Sequence, residues 1–367
     1  MDTDITIVGA GIIGLSISYY LSNAGYKVIL LEKEKTYGLG VSSRSTEVIH
    51  SGAYYATNSL KGKLCIRGKD LIYNFCKKNK VPYKKIPKLF LALTKDNIPD
   101  LERIEKQART NGLLDLKILD KNHLKNYEPH LSGYMALMSP SAGIFDVSYF
   151  MHVLAQKCIT NDVVIAPNSP FHNADFKDGS VKVSVAGLDP MMIKSRLVIN
   201  AGGLDSLMIS KKIFPNQNMP MSKPTKGCYA RYSGKSPINS IIYPSFTPGQ
   251  ITERVDATPD LNGGLRFGPS IENSNDISDY SIPENLKDRF FNSIRQYLPN
   301  IKSNKINLDY SAFRPKIDIE GTKNPDFIFN WSHNNLWLDL WGMESPAITS
   351  SLAIGEYVLE AVIKKLK

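Results

Sequence analysis

The opening of the chain alternates short apolar runs with a helical pattern. Residues 4–9 (DITIVG) are largely apolar and β-branched, which predicts a short buried strand. Apolar side chains then recur at helical spacing, at Ile13, Ile17, Tyr20 and Leu21. Gly25 is placed to end this helix, and residues 27–31 (KVILL) predict a second buried strand. The chain therefore opens with a strand–helix–strand unit, which is typical of a parallel sheet.

Other periodic segments predict elements further along the chain. An exposed amphipathic helix is expected over residues 100–110, with Asp100 as its N-terminal cap. The same spacing predicts helices over 284–298 and 349–366. Short β-branched or alternating runs predict strands over 181–186, 195–201, 226–232 and 264–268.

A glycine motif follows the first predicted strand. Gly9 permits a tight turn, Gly11 lets the backbone approach a pyrophosphate, and Gly14 lets helix and strand pack closely. The helix N-terminus favours phosphate charge, and Glu32 can accept from ribose hydroxyls while it repels a 2′-phosphate. We therefore expect an adenine dinucleotide site made by Gly9, Gly11, Ile12, Ile13, Gly14, Glu32 and Lys33.

The segment after the second strand favours FAD over NAD. Residues 40–55 (GVSSRSTEVIHSGAYY) form a polar loop rich in glycine and serine. A nicotinamide dehydrogenase would normally continue with another plain βαβ crossover, whereas a polar insertion suits a buried diphosphate and a flavin. An NAD-dependent enzyme stays open as an alternative and predicts a colourless protein.

Composition narrows the class of protein. The chain has 367 residues, of which 42 % are hydrophobic and 22 % charged, as expected of a soluble globular protein with about two domains. It has no apolar stretch of membrane-spanning length and no secretory signal pattern, so the cytoplasm is the default expectation. Four cysteines without a C-x-x-C pair argue against a zinc module or a disulfide scaffold, and we expect no metal site.

The formal net charge of +10 fits an anionic substrate, an anionic cofactor, nucleic acid or an acidic membrane surface. Residues 77–88 hold six lysines and no acid, and we interpret them as a solvated basic face. Few aromatic residues lie among these lysines, so no nucleic-acid partner is expected. A peripheral contact with the anionic inner face of the membrane stays open.

Blocks of sequence along the chain resemble one superfamily. Beyond the glycine motif, these blocks lie at 43–55, 199–203, 266–269, 313–316 and 342–355. Together they make the chain similar, nearly end to end, to the FAD-dependent oxidoreductases that include D-amino acid oxidase, glycine oxidase and glycerol-3-phosphate dehydrogenase. Within this superfamily the chain most resembles the L-2-hydroxyglutarate oxidase/dehydrogenase branch.

The resemblance implies an α/β (α+β) fold, in which a Rossmann-like FAD-binding domain is interleaved with a substrate domain built on a mostly antiparallel sheet. The FAD-binding domain is expected over 1–80, 142–215 and 310–367, and the substrate domain over 81–141 and 216–309. FAD is expected to be bound non-covalently, since no cysteine or histidine is clearly placed to link to the flavin. The N-terminus of the last helix is expected to face the flavin ring.

The resemblance also implies site residues. His50 is the candidate base for a substrate hydroxyl, and Arg314 the candidate partner of a carboxylate, because its planar guanidinium can bond both oxygens. Further cofactor contacts are expected from Ser42, Ser43, Arg44, Ser45, Ala201, Gly202, Gly342, Met343, Glu344, Ser345, Pro346 and Ala347. Further substrate contacts are expected from Tyr54, Tyr55, Lys226, Tyr229 and Asp256.

Several positions depart from the pattern of the branch, among them the block Arg44-Ser45-Thr46-Glu47, where the branch usually has Ser-Arg-Asn-Ser. Lys226 stands where much of the branch has arginine, which loses bidentate recognition. Asp256 stands where the branch has a histidine, which reverses the charge available to bind an acid. Ala347 replaces a glycine. These departures bear on the substrate rather than on the fold or the cofactor.

The activity that the resemblance implies is FAD-dependent oxidation of a small 2-hydroxy carboxylic acid, such as L-2-hydroxyglutarate to 2-oxoglutarate. Hydride would pass from C2 to flavin N5, and oxygen, a quinone or a carrier protein would accept the electrons. Two alternatives stay open: an amino-acid or amine oxidase of the same fold, and a flavin-binding protein without turnover.

Overall fold

The computed structural model describes residues 2–187, 189–245, 254–272, 274 and 276–366. The helices in these ranges are α1 (Ile12–Asn23), α2 (Leu60–Asn79), α3 (Ile98–Thr110), α4 (Lys121–Tyr127), α5 (Val147–Thr160), α6 (Ser206–Ile213), α7 (Leu286–Ile294) and α8 (Ala347–Lys365). The strands are β1 (Thr3–Val8), β2 (Val28–Leu31), β3 (Val48–Ile49), β4 (Tyr83–Lys85), β5 (Lys88–Ala92), β6 (Lys117–Leu119), β7 (Met135–Ser139), β8 (Gly143–Phe145), β9 (Val164–Ala166), β10 (Phe171–Lys177), β11 (Ser180–Val185), β12 (Met191–Asn200), β13 (Met221–Ser222), β14 (Thr225–Tyr232), β15 (Ile241–Pro244), β16 (Ala257–Pro259), β17 (Leu265–Glu272), β18 (Ile306–Arg314), β19 (Ile317–Asp318), β20 (Ile328–Ser332) and β21 (Trp337–Trp341).

One large sheet has a parallel centre in the order β9-β2-β1-β12-β21. Strands β10 and β11 extend the first half of β12 in antiparallel fashion, and β20 lies antiparallel to β21. Helices α1 and α8 pack so closely that a Cβ atom at Gly355 would lie 2.7 Å from the carbonyl oxygen of Ser16. This sheet confirms the predicted strand–helix–strand opening, and it brings the carboxyl ends of its parallel strands to one edge.

The second large sheet has the order β18-β14-β17-β16-β15-β5-β7-β6. Its neighbouring strands are antiparallel except for β5 and β15. Helix α7 packs on this sheet through Leu286, Phe290 and Ile294, which share a core with Leu89 and Leu91. A parallel sheet with helices and a mostly antiparallel second sheet together confirm the predicted fold class.

A small third sheet is formed by strands that lie, along the chain, between strands of the two large sheets. Its order is β3-β8-β4, and β3 ends directly before His50. Strand β18 runs unbroken from Ile306 to Arg314 and so crosses the predicted domain boundary at residue 310. The domain boundaries stay a prediction.

Two predicted helices have different limits in the structure. A capping box between Thr94 and Asn97 closes the 3-10 turn Lys95–Asn97. Helix α3 follows this turn directly at Ile98, with Asn97 as its N-cap residue, so Asp100 lies inside the first helical turn. The expectation that Asp100 is the cap is therefore wrong. Helix α7 ends at Ile294, four residues before the predicted end at 298, and Pro299 disfavours helical backbone in the residue before it.

The basic segment 77–88 is only partly a solvated face. Five of its six lysines are exposed, but Lys88 is buried with 1 % of its surface accessible. The interpretation of the whole run as solvent-facing is therefore wrong at Lys88, because strand β5 begins there and is buried throughout. No helix among the described residues is long and apolar enough to cross a membrane.

Candidate active site

The glycine motif forms a tight turn between β1 and α1. Gly9 has a φ of +98°, and a Cβ atom there would lie 2.6 Å from the carbonyl oxygen of Ala201. A Cβ atom at Gly14 would overlap the carbonyl oxygen of Gly9. At Gly11 the nearest atom is the Ser42 hydroxyl, at 3.1 Å. Packing thus requires Gly9 and Gly14, whereas Gly11 leaves space at the N-terminus of α1 for a phosphate to approach.

Two polar side chains surround this turn. Glu32, buried at the end of β2, accepts hydrogen bonds from the amides of Ala10 and Glu34, both at 2.9 Å. Ser42 accepts one from the amide of Ile12 at 3.0 Å, which holds the loop after β2 against the start of α1. These bonds fix the Glu32 carboxylate at the sheet edge, where a ribose would lie next to a phosphate on α1.

Three other predicted cofactor residues have protein partners at the same edge. Lys33 forms an ion pair with Asp205 at 2.6 Å. The exposed Ser43 hydroxyl donates to backbone carbonyls of its own loop. The amide of Gly202 donates to the Asn200 side chain at 3.2 Å. Lys33, Ser43 and Gly202 thus use these polar groups for contacts within the protein at the edge of the sheet.

A cavity of about 1250 Å³ lies between the start of α8 and the face of the second large sheet. Many of the predicted site residues line it: Arg44, Ser45, His50, Tyr54, Tyr55, Tyr229, Asp256, Arg314, Met343, Glu344, Ser345, Pro346 and Ala347. Val41, next to Ser42, also lines it, so the cavity extends toward the N-terminus of α1. The structure thus brings most of the predicted catalytic and substrate residues to one space.

The start of α8 forms one wall of this cavity. The turn before it and the first helical residues up to Thr349 line the space. The Thr349 hydroxyl accepts from the His50 amide at 3.1 Å and donates to the Val48 carbonyl at 3.2 Å. The helix N-terminus carries partial positive charge, which favours negative charge in the cavity, and Thr349 ties His50 to that helix end.

His50 is buried at the centre of the site. Its Nδ1 lies 3.1 Å from Nζ of Lys88, and its Nε2 lies 3.5 Å from the Ser345 hydroxyl. Burial, together with the positive charges of Lys88, Arg314 and Arg254, holds the pKa of His50 well below its ordinary value. His50 is therefore a neutral imidazole near neutral pH, the form that can accept a proton.

Two tyrosines extend the hydrogen bonding from His50. The Tyr55 hydroxyl lies 3.2 Å from that of Ser345 and 3.1 Å from that of Tyr54. Burial raises the pKa of both phenols, so both stay protonated at neutral pH. The chain Tyr54–Tyr55–Ser345–His50 is a continuous run of groups that can donate and accept protons.

Arg314 ends strand β18 and is partly buried. Tyr229, which stacks on Tyr310 with ring centroids 4.5 Å apart, forms a hydrogen bond with its guanidinium. Within the described residues, no carboxylate forms an ion pair with Arg314. A partly buried guanidinium with no ion pair to a carboxylate among the described residues is suited to bind the carboxylate of a ligand.

Asp256 does not act as an isolated negative charge. Its oxygens accept from the Arg254 guanidinium at 2.6 and 3.4 Å, and Arg254 lies over the Tyr243 ring, 4.4 Å from its centroid. The expectation that Asp256 reverses the local charge is corrected by this pairing, because the adjacent arginine compensates it. The cavity therefore keeps the positive charge of Arg314.

Lys226 lies apart from these groups. Its ammonium is buried and forms an ion pair with Asp279 at 2.8 Å, and it is not among the described residues that line the cavity. The structure thus does not bring this predicted substrate residue to the wall of the cavity, and its charge is paired with the Asp279 carboxylate.

Sequence reasoning missed Lys88, Arg254, Tyr243 and the positioning role of Thr349. The basic run places Lys88 with solvent-facing lysines, and the pattern of the branch points to Asp256 rather than to Arg254, two residues before it. A usable signal was present at Lys88: it directly precedes the apolar run LFLA, where a charged side chain is unusual at the start of a buried strand.

Comparisons with known proteins show the family of the chain. The sequence matches the family described as FAD dependent oxidoreductase over residues 4–361. The mitochondrial L-2-hydroxyglutarate dehydrogenase of Arabidopsis thaliana is 31 % identical, over 98 % of this chain and 83 % of that protein. The glycerol 3-phosphate dehydrogenase of Caloramator mitchellensis is 27 % identical, over 97 % of this chain and 73 % of that protein.

Solved structures share the fold. The L-alpha-glycerophosphate oxidase from Mycoplasma pneumoniae with FAD bound gives a TM-score of 0.87 at 24 % identity, over 98 % of this chain and 94 % of that chain. Glycine oxidase from Geobacillus kaustophilus gives a TM-score of 0.82 at 17 % identity, over 99 % of this chain and 95 % of that chain. These similarities extend over nearly the whole chain.

The residues present fit FAD. The space at Gly11, the N-terminus of α1 and the Glu32 carboxylate suit a pyrophosphate and a ribose. The cavity of about 1250 Å³ exceeds the space that a single small ligand needs, and the positive end of α8 faces it. We conclude from the family match, the fold and these features that the chain belongs to the family of FAD-dependent oxidoreductases.

Proposed function

We propose that this protein oxidises a small 2-hydroxy carboxylic acid, with L-2-hydroxyglutarate as the leading substrate, to the 2-oxo acid. One observation carries the proposal: a neutral buried imidazole, His50, and Arg314, which forms no ion pair within the described part of the chain, line the same cavity. The family and the names of relatives such as the Arabidopsis thaliana dehydrogenase support the same substrate class.

Arg314 is proposed to hold the substrate carboxylate. A guanidinium can donate two parallel hydrogen bonds to the two oxygens, which fixes the orientation of the carbon next to the carboxylate as well as its position. The Tyr229 hydrogen bond restrains the guanidinium on one side. The hydroxyl-bearing carbon, bonded directly to the carboxylate, would then lie near the wall that carries His50.

His50 is proposed to accept the proton of the substrate hydroxyl at Nε2, the nitrogen on the Ser345 side. FAD, when bound, supplies the acceptor for the hydrogen and the two electrons that leave C2. As the O–H proton moves to His50, its bonding electrons form the carbonyl of the product. The start of α8 adds a favourable electrostatic field for the negative charge that the cavity must hold.

The test is an anaerobic titration of the purified flavoprotein, followed by its visible absorbance. L-2-hydroxyglutarate should bleach the flavin band, and D-2-hydroxyglutarate should do so far less, because only one configuration places the C2 hydrogen and the hydroxyl correctly when Arg314 holds the carboxylate. L-glutamate and glycerol 3-phosphate are the matched comparisons. Bleaching by L-glutamate alone would assign the amino-acid oxidase alternative, and a band that none of these compounds reduces would refute the proposal.

A further inference from the structure

Lys88 is a buried lysine that contacts His50, the candidate base, at Nδ1. It begins β5, a strand in which alternate side chains face opposite sides, and its side chain shares a side with Phe90. Its ammonium nitrogen lies 3.8 Å from the Tyr243 ring centroid and 5.8 Å from that of Tyr54. Lys88 is not among the described residues that line the cavity, so it can affect a substrate only through its neighbours.

The contact between Lys88 and His50 is direct. Nζ lies 3.1 Å from Nδ1 of His50, and among the described residues no carboxylate lies within ion-pair distance of Nζ. A buried ammonium without a carboxylate is costly, so a lysine in this position is readily converted to its neutral amine. Aromatic rings compensate part of that cost through cation–π contact.

We propose that Lys88 is a positioning residue for His50: as a neutral amine it accepts the hydrogen bond of Nδ1–H, which leaves Nε2 free to take the proton of the substrate hydroxyl. This inference rests on the proposed function, because it assigns the second partner of the base in that reaction. It goes beyond that function in naming the group that selects the tautomer of the base.

The charge of Lys88 decides which ring nitrogen of His50 can carry the proton. A charged ammonium has no lone pair, so charged Lys88 must donate to Nδ1, and the neutral imidazole then carries its proton on Nε2 and cannot accept there. Neutral Lys88 can accept from Nδ1–H instead. In the reaction the substrate O–H bond breaks and the Nε2–H bond forms, while the Nδ1–H bond breaks and an Nζ–H bond forms. Lys88 ends as an ammonium and His50 as a neutral imidazole.

Charged and titratable groups face Lys88 from several elements. They are His50 and Tyr54 after β3, Cys65 on α2, Tyr243 on β15, and Arg254 and Asp256 before β16. Burial, opposed by Asp256 and reinforced by Arg254, lowers the pKa of Lys88 to about 7. Both forms are therefore populated near neutral pH, and the limiting rate of flavin reduction should rise with pH through about 7.

A different role for Lys88, as a fixed positive charge that attracts the acid, makes the opposite prediction for two variants. Lys88→Arg keeps the charge at every accessible pH, and Lys88→Met keeps the chain length without charge. If charge were the role, Lys88→Arg would retain activity and Lys88→Met would lose affinity. If Lys88 accepts the Nδ1 proton, Lys88→Arg holds the proton on Nε2 and lowers the limiting rate about 10²-fold, and Lys88→Met lowers it by about tenfold or more.

The experiment is stopped-flow reduction of each holoenzyme between about pH 6 and pH 9, with Lys84→Met as the matched control on the exposed part of the same segment. We expect the limiting rate of flavin reduction to rise with pH near 7 in the wild type and in Lys84→Met. We expect this rise to be absent in both Lys88 variants. Because Arg can disturb a buried site, flavin content is measured first. Lys88→Ala is then tested with ethylamine, whose free base should restore reduction while guanidinium should not.

A second readout needs no substrate and separates this inference from the proposed function. Nitrogen-15 NMR of His50 reports which ring nitrogen carries the proton. In the wild type the proton should move from Nε2 to Nδ1 as the pH rises through about 7, and in Lys88→Met no such change should occur. The inference would be overturned if the tautomer of His50 in the wild type did not change with pH. It would also be overturned if Lys88→Arg had full activity and the same pH dependence of the limiting rate as the wild type. Failure of every acid to reduce the wild-type flavin would refute the proposed function alone.

Discussion

Replacing Arg314 with methionine tests the carboxylate site most directly. Met keeps an unbranched side chain in this partly buried position but removes the guanidinium and its hydrogen bond with Tyr229. Arg314 has no ion pair among the described residues, so its loss leaves no unpaired protein carboxylate and the effect on binding can be attributed to the substrate. The expected result is weaker binding of the acid.

The magnitude follows from the contacts. Hydrogen bonds that involve a charged group contribute about 1.5–3 kcal/mol, which corresponds to a rise in Kd of roughly 10- to 150-fold. Arg314→Lys keeps the charge but loses the planar fork, so its Kd should lie between those of the wild type and Arg314→Met. Because Arg314 also helps to hold the pKa of His50 low, that pKa should rise in Arg314→Met.

Stopped-flow reduction over a range of L-2-hydroxyglutarate concentrations separates Kd from the limiting rate. Arg231→Met is the control, since Arg231 lies on the same sheet, is half exposed and is not among the described cavity residues. If Arg314→Met retains its flavin and its Kd for the acid stays within about twofold of the wild type, Arg314 does not bind the carboxylate.

Three further substitutions test the site and its support. His50→Asn should lower the limiting rate of flavin reduction by about 10²-fold or more while flavin content is unchanged, and a normal rate would exclude His50 as the base. Thr349→Val removes the acceptor of the buried His50 amide and should cost about 1–3 kcal/mol in the free energy of unfolding of the holoenzyme; an unchanged value would contradict the tie between α8 and His50. Gly68→Ala places a Cβ atom against the backbone of Thr349 and should destabilise the protein by about 1–3 kcal/mol in thermal denaturation, whereas Asn74→Ala on the exposed side of α2 should not.

The nucleotide-binding half of the site could be predicted because its parts are close in sequence. The strand, turn and helix that hold Gly9, Gly11 and Gly14 follow one another directly, and Glu32 comes at the end of the next strand. Each glycine answers a local requirement of backbone conformation or close packing, which the spacing alone expresses. Periodicity also located α1 and α8 to within a few residues, because one buried face is enough to produce the pattern.

The substrate side of the site depended on packing between distant segments. Lys88 and His50 are 38 residues apart, and Thr349 lies 299 residues from the His50 amide that it binds. No spacing rule in the sequence brings such residues together. The sequence also does not show whether a lysine at the end of a basic run faces water or contacts a histidine. The sequence by itself determined the strand–helix–strand opening and the dinucleotide motif, since these follow from local backbone geometry and hydrophobic period. The rest of the fold class came from the resemblance to a known family. Only the tertiary structure decided which charges are buried and paired, because burial is set by the sheets and helices that pack around each side chain.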